Sequence, residues 1–155
     1  MRIVGTFLRF VIITSTLVCS VALAEKAQPG SWDRSAAQAL ADELAIAATR
    51  LVIECRKAPP NYSDIDAGEH LGFRYHARHF RSVAVSLSNA IEDDKGYLGT
   101  RPIFNELGDI SGDLKRYAID NPRGAGKKVE DAVKVIEGVL SEMGVLYEKQ
   151  TDFKK

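Results

Sequence analysis

Cysteine is nearly missing from this chain. Its 155 residues hold two, Cys19 and Cys55. Cys19 falls in an apolar run near the start that reads as a leader, so Cys55 is left alone. A lone cysteine excludes an internal disulfide, and stability has to come from packing. Cys55 is then either a buried apolar residue or the handle for an intermolecular disulfide, which would make a covalent homodimer. An excess of one charge is missing too. With 21 Lys and Arg against 21 Asp and Glu, the chain has no clustered basic surplus of the kind a nucleic-acid binder carries. The usual catalytic signatures are absent: there is no HExxH, CxxC, Walker loop or GxSxG. The segment GAGKK at 124–128 has neither a preceding strand nor the spacing of a phosphate loop, and it reads as a connection between helices. The paired Glu-x-x-His motifs of a di-iron bundle are not found. A non-catalytic protein is the expectation.

The one long apolar run lies at the start. Arg2 and Arg9 lead into Phe10-Val11-Ile12-Ile13-Thr14-Ser15-Thr16-Leu17-Val18, and Ala22-Leu23-Ala24 places small residues before the charged Glu25. That is the layout of a cleaved signal peptide over 1–24. The run is short for a membrane anchor, which needs roughly 20 apolar residues. A lipoprotein site at Cys19 is a third reading, set back by Val18 where a small residue is expected. Loss of Arg2 and Arg9 leaves 19 basic residues against 21 acidic ones. The expected product is periplasmic or secreted, soluble and without a membrane span. It has a flexible lead-in over 25–32, one domain over 33–150 and a short tail over 151–155.

What is present is helical periodicity. From about Asp33 to Lys57, the residues Ala37, Leu40, Leu44, Ala47, Leu51 and Cys55 recur at three- and four-residue steps, before Pro59 and Pro60. From about Asp66 to Asp93 the stripe is Phe73, Phe80, Val83, Leu87 and Ile91, with Asp66 and Glu69 at capping-box spacing. A third segment opens at Thr100 as N-cap, with Pro102 in the first turn, and runs to Ile119 through Ile103, Leu107, Ile110, Leu114 and Tyr117. The fourth, from Lys127 to Gln150, carries Val129, Val133, Ile136, Leu140, Met143 and Tyr147. No stretch alternates with period two. The fold class is all-α. Short connections predict an up-down-up-down antiparallel four-helix bundle. Trp32 either pins the lead-in or is the first contact of the first helix.

All three histidines lie in GEHLGFRYHARHF, residues 68–80. At about 100° per residue, the stripe places His76 inward, His79 at its edge and His70 on the far flank. His76 and His79, three apart, are the candidate ligands for a divalent metal or haem. Glu69 lies one heptad before His76 as a candidate second partner, and a further ligand has to come from another helix. The competing expectation is a core His76 that binds nothing. Arg74, Arg78 and Arg81 fall opposite the stripe as a basic ridge, either simply solvated or a docking patch for an acidic partner or anionic surface.

The signal peptide, the four helices and the run Thr100-Arg101-Pro102-Ile103-Phe104 together resemble the cytochrome c-prime group of exported bundles. RKAPP at 56–60 is similar to a proline turn of the soluble cytochrome b proteins. The resemblance implies a haem-bundle topology. The last helix, however, has neither cysteine nor histidine, so covalent haem attachment is excluded, and the Met and His positions of soluble cytochrome b are not matched. A swapped pair, His76 with Met143, would differ in height by roughly 9 Å at about 1.5 Å per residue. The leading expectation is a binding protein for a protein partner or small ligand, with no cofactor. The alternative is a non-covalent haem or metal bundle.

Overall fold

A computed structural model describes residues 32–57, 64–120 and 125–151, with backbone only for 64–69 and 149–151. The expected signal peptide, most of the lead-in and all of the tail beyond 151 lie outside the described residues. The described chain is all-helical: α1 (Arg34–Lys57), α2 (Asp64–Glu92), α3 (Gly96–Ala118) and α4 (Lys127–Thr151). Consecutive helices pack on one another, and α1 closes the ring against α4.

Local chemistry sets the helix ends. Asp33 precedes α1, and its side chain accepts the Ala36 N–H at 2.9 Å, which satisfies one of the orphan donors of the first turn. Arg56 and Lys57 oppose the helix dipole in the last turn. α2 ends in a reversal with Asp94 at φ 60. There the Asp94 N–H donates to Ile91 O at 3.0 Å and the Lys95 N–H to Ala90 O at 3.1 Å, the two bonds of a Schellman close. Arg34 completes it from the start of α1. Its guanidinium donates to Ile91 O at 3.1 Å and Glu92 O at 2.7 Å, and pairs with Asp94 at 3.3 Å. One side chain thereby supplies donors and positive charge where a helix has unpaired carbonyls. Gly126, at φ 87, accepts from Val129 and Glu130 and opens α4.

Two expected helix starts are corrected. α2 begins at Asp64, so Asp66 stands inside the helix rather than capping it; its side chain and that of Glu69 lie outside the described residues. α3 begins at Gly96, four residues before Thr100. Thr100 is fully buried, and its hydroxyl donates back to Gly96 O at 2.8 Å. A cap threonine and a back-bonding threonine have the same composition signal. The difference is that Thr100 has a partner on another helix: Tyr147 donates to its Oγ1 at 2.9 Å. Pro102 accordingly sits inside α3, not in its first turn.

The core follows the predicted stripes. Leu44, Leu51, Phe80, Leu87, Ile91, Leu107, Leu114, Val133, Ile136 and Met143 are fully buried, while Leu40, Ile103, Leu140 and Tyr117 are half-buried at its margin. Aromatic layers lie at two levels. Phe73 stacks on Tyr117 with centroids 4.3 Å apart. At the start of α1, Trp32 meets Tyr97 at 5.8 Å and Tyr147 at 5.0 Å, and Phe104 stacks on Tyr147 at 4.3 Å. Trp32 therefore pins the start of α1 onto α3 and α4 through two aromatic contacts.

Candidate functional site

The histidine-rich part of α2 forms two seams rather than one site. His76 was expected to point inward, with His70 outward. The structure reverses this: His70 is 7% exposed, whereas the His76 side chain is 39% exposed. The projection failed because it counted only large apolar residues. Ala77 and Ala84 are buried as well. Including them turns the centre of the buried face by roughly 15–20° toward His70, at about 100° per residue. The two imidazoles then differ by only about 20° in their distance from the centre, and their surroundings decide. Burial, seconded by the Arg74 charge, holds the His70 pKa below its ordinary value.

His76 and His79 open on the seam with α3. His79 Nε2 lies 3.2 Å from Glu106 Oε1, and His76 Nδ1 lies 3.9 Å from Asp113 Oδ2. The first distance is hydrogen-bonding; the second is only an ion-pair distance. Each imidazole thus faces its own carboxylate. Tyr75 packs near both, with ring centroids 5.9 Å and 6.1 Å away. No group of three or more His, Cys, Asp or Glu able to hold a metal occurs among the described residues. Met143 is fully buried in the core, while His76 sits at the half-exposed α2–α3 seam.

The α1–α2 seam is different in character. Arg74, Arg81 and Ser88 are spaced seven apart along α2 and so form one row. Ser88 joins that row to α1, since its hydroxyl donates to Asp42 Oδ1 at 2.6 Å and accepts from Gln38 Nε2 at 3.1 Å. Arg74 is half-buried and acts on both His70 and Cys55, while Arg78 and Arg81 are exposed. The ridge expected on the outside of α2 therefore leans toward α1. Residues 70–91 contain no Asp or Glu, so no carboxylate stands three or four residues from any of these three cations along the helix.

Cys55 is buried, the free cysteine of the described chain. Burial pushes its thiol up to about 11, against the opposing pull of Arg74. A protonated, covered thiol is a poor nucleophile. A groove of about 730 Å³ at the start of α1 is lined by Arg34, Ser35, Gln38, Ala39, Asp42 and Glu92. Several of its polar groups are engaged, since Gln38 Nε2 also donates to Asp42 at 2.9 Å and Arg34 caps α2, while the buried Gln38 Oε1 has no hydrogen-bond partner.

The sequence reading overlooked a set of apolar residues that lie off the core stripes and stay exposed. On α1 these are Ile46, at 56% exposure, and Ile53; on α2 they are Leu71 and Tyr75, at 65% and 66%, and Val85; Leu98 on α3 and Val135 and Val145 on α4 are exposed singly. The signal was present as apolar residues out of phase with the buried period. No helix of the described chain is long and apolar enough to cross a membrane. Searched against protein-family models, curated proteins and solved structures, the chain matches none.

Proposed function

We propose that this is an exported, non-catalytic binding protein that engages an anionic partner through the shared outer face of α1 and α2. The observation that carries the reading is the run 70–91, with Arg74, Arg78 and Arg81 and no carboxylate. Opposite charges at 4 Å gain about 1 kcal/mol even in bulk water, and a row of cations attracts as a unit. Leader-like residues 1–24 support export, and the inert setting of Cys55 supports binding over chemistry. The up-down-up-down arrangement belongs to the same proposal, as does a topological likeness to the cytochrome c-prime group without its haem. In its support, the start of α1 meets the end of α2 through Arg34 and Glu92, Phe73 pairs with Tyr117 across α2 and α3, and Thr100 pairs with Tyr147 across α3 and α4.

The test is retention on immobilised poly-glutamate. Wild type is retained at low salt and released as ionic strength rises, because exposed charges are screened over about 10 Å at 0.1 M. The charge-reversed protein Arg74→Glu, Arg78→Glu, Arg81→Glu elutes early. Equal retention of the two proteins refutes the reading. A divalent-metal site at His76 and His79 is a second reading, favoured by Glu106 standing 3.2 Å from His79 on the facing helix. Zinc titration of wild type beside His76→Ala and His79→Ala decides it, and equal uptake by all three removes it.

A further inference from the structure

We propose that the anionic partner is a lipid surface on which the α1–α2 face lies flat. The inference rests on the reading above and names its partner class. Its ground is the placement of the exposed apolar side chains among the cations.

On α1, Arg50 stands four residues after Ile46 and three before Ile53, so an Ile-Arg-Ile row runs along one outer face. On α2, Leu71, Tyr75, Arg78, Ser82 and Val85 follow one another at steps of four, three, four and three, forming a single outer row. That row spans roughly 21 Å at 1.5 Å per residue. Arg74 and Arg81 run beside it, toward α1. Ser88, the next member of their row, bonds to Gln38 and Asp42 of α1, so the two outer rows flank one seam. Asp42, on the α2 side of α1, is already bonded by Ser88 and Gln38, while Glu43 stands exposed one heptad before Arg50.

A protein docking face concentrates apolar area in a dry centre and puts charge at the rim. Here apolar tips and guanidinium groups alternate along each row. Alternation suits a lipid headgroup layer. Short apolar tips enter the boundary of the acyl region, while arginines beside them reach phosphates and keep their stems against apolar atoms. Leu71 and Tyr75 project furthest, with about two-thirds of each exposed. Arg50, Arg74, Arg78 and Arg81 all stand on this side, which fits the negative potential of anionic phospholipids.

The test is co-sedimentation of the full chain with phosphatidylcholine vesicles, with and without phosphatidylglycerol, alongside soluble poly-glutamate. Two variants are compared with wild type. One is Ile46→Ser, Leu71→Ser, Tyr75→Ser; the other is Arg78→Glu, Arg81→Glu. All changed residues are exposed, and circular dichroism checks the fold. The apolar run near the chain start is common to every protein, so differences between variants report on the α1–α2 face. The expected result is weaker binding of both variants to anionic vesicles, with no difference on neutral ones. Removing each arginine costs roughly fivefold, and reversal costs more, so the second variant should lose at least about twenty-fivefold. Binding to poly-glutamate without binding to vesicles overturns the lipid proposal and assigns the face to an acidic protein. Vesicle binding that the serine variant retains in full also overturns it. Binding to neither probe overturns both this inference and the reading it rests on.

Discussion

The hydroxyl pair joining α3 to α4 offers the sharpest test of the fold. Tyr147 and Thr100 are both buried, and the Tyr147 hydroxyl donates to Thr100 Oγ1 at 2.9 Å while Thr100 donates to Gly96 O at 2.8 Å. Tyr147→Phe removes the outer donor but leaves Thr100 its bond to Gly96, so the loss should be one net hydrogen bond, about 1 kcal/mol. Thr100→Val keeps the shape but strands the Tyr147 hydroxyl away from water, which should cost about 2 kcal/mol. With both changes no hydroxyl is stranded, and the double variant should lose about 1 kcal/mol, less than Thr100→Val alone and well under the sum of about 3. Urea unfolding of the four proteins gives the cycle, and one kcal/mol corresponds to about 4 °C in Tm for a domain near this size. Trp32, the only tryptophan in the chain, packs on Tyr147 at 5.0 Å and reports on the same layer by its emission. The pH profile adds a check. Burial, and secondarily Tyr97, raises the Tyr147 pKa against the lowering pull of Thr100. The folded state therefore holds its proton longer than the unfolded chain. The resulting stability is whole below pH 10.0 and falls as pH rises through the folded value, and Tyr147→Phe should remove that alkaline slope. Strict additivity of the two single changes would refute the coupling drawn here.

Three other outcomes follow from the geometry. His70 has a folded pKa below 6.5, so acidification protonates the unfolded chain first and stability falls as pH drops below 6.5, by at most about 1.4 kcal/mol per pH unit; His70→Gln should flatten that slope in urea titrations at pH 5 and 7. Cys55, covered and with its thiol at about 11, should resist a thiol reagent at neutral pH until the protein is denatured, and non-reducing gels should show no covalent dimer; rapid native labelling would contradict its burial. Gly108 and Gly112 lie exposed inside α3, with nothing within 4 Å of an added Cβ, so each change to Ala should raise stability by about 0.5–1 kcal/mol, read as a higher urea midpoint.

The sequence made the helices legible because apolar residues recurring at three and four positions allow one solution, a stripe turned away from water. The buried faces of α1 and α4 match the periodicity almost residue by residue, with Leu40 and Leu140 at the margin. It did not reveal which threonine caps and which is buried. Thr100 precedes a proline and looks like a start, and only its contact with Tyr147, 47 residues away, shows otherwise. The histidines were misread for a related reason. Alanine carries little weight in an apolar pattern, yet the buried Ala77 and Ala84 turn the buried face of α2 toward His70, and the packing of neighbouring helices does the rest.

By itself, then, the chain determined an all-helical structure and its helix lengths to within a few residues. These follow from local periodicity and composition, which act over a turn or two of helix. Tertiary structure alone decided that His70 and not His76 is buried, that Arg34 caps α2, and that Ile46, Ile53, Leu71 and Tyr75 stay exposed. Each of those outcomes depends on which residue of a neighbouring helix arrives opposite. That is set by packing distance and rotation between helices, and neither quantity is written in the spacing of any single one.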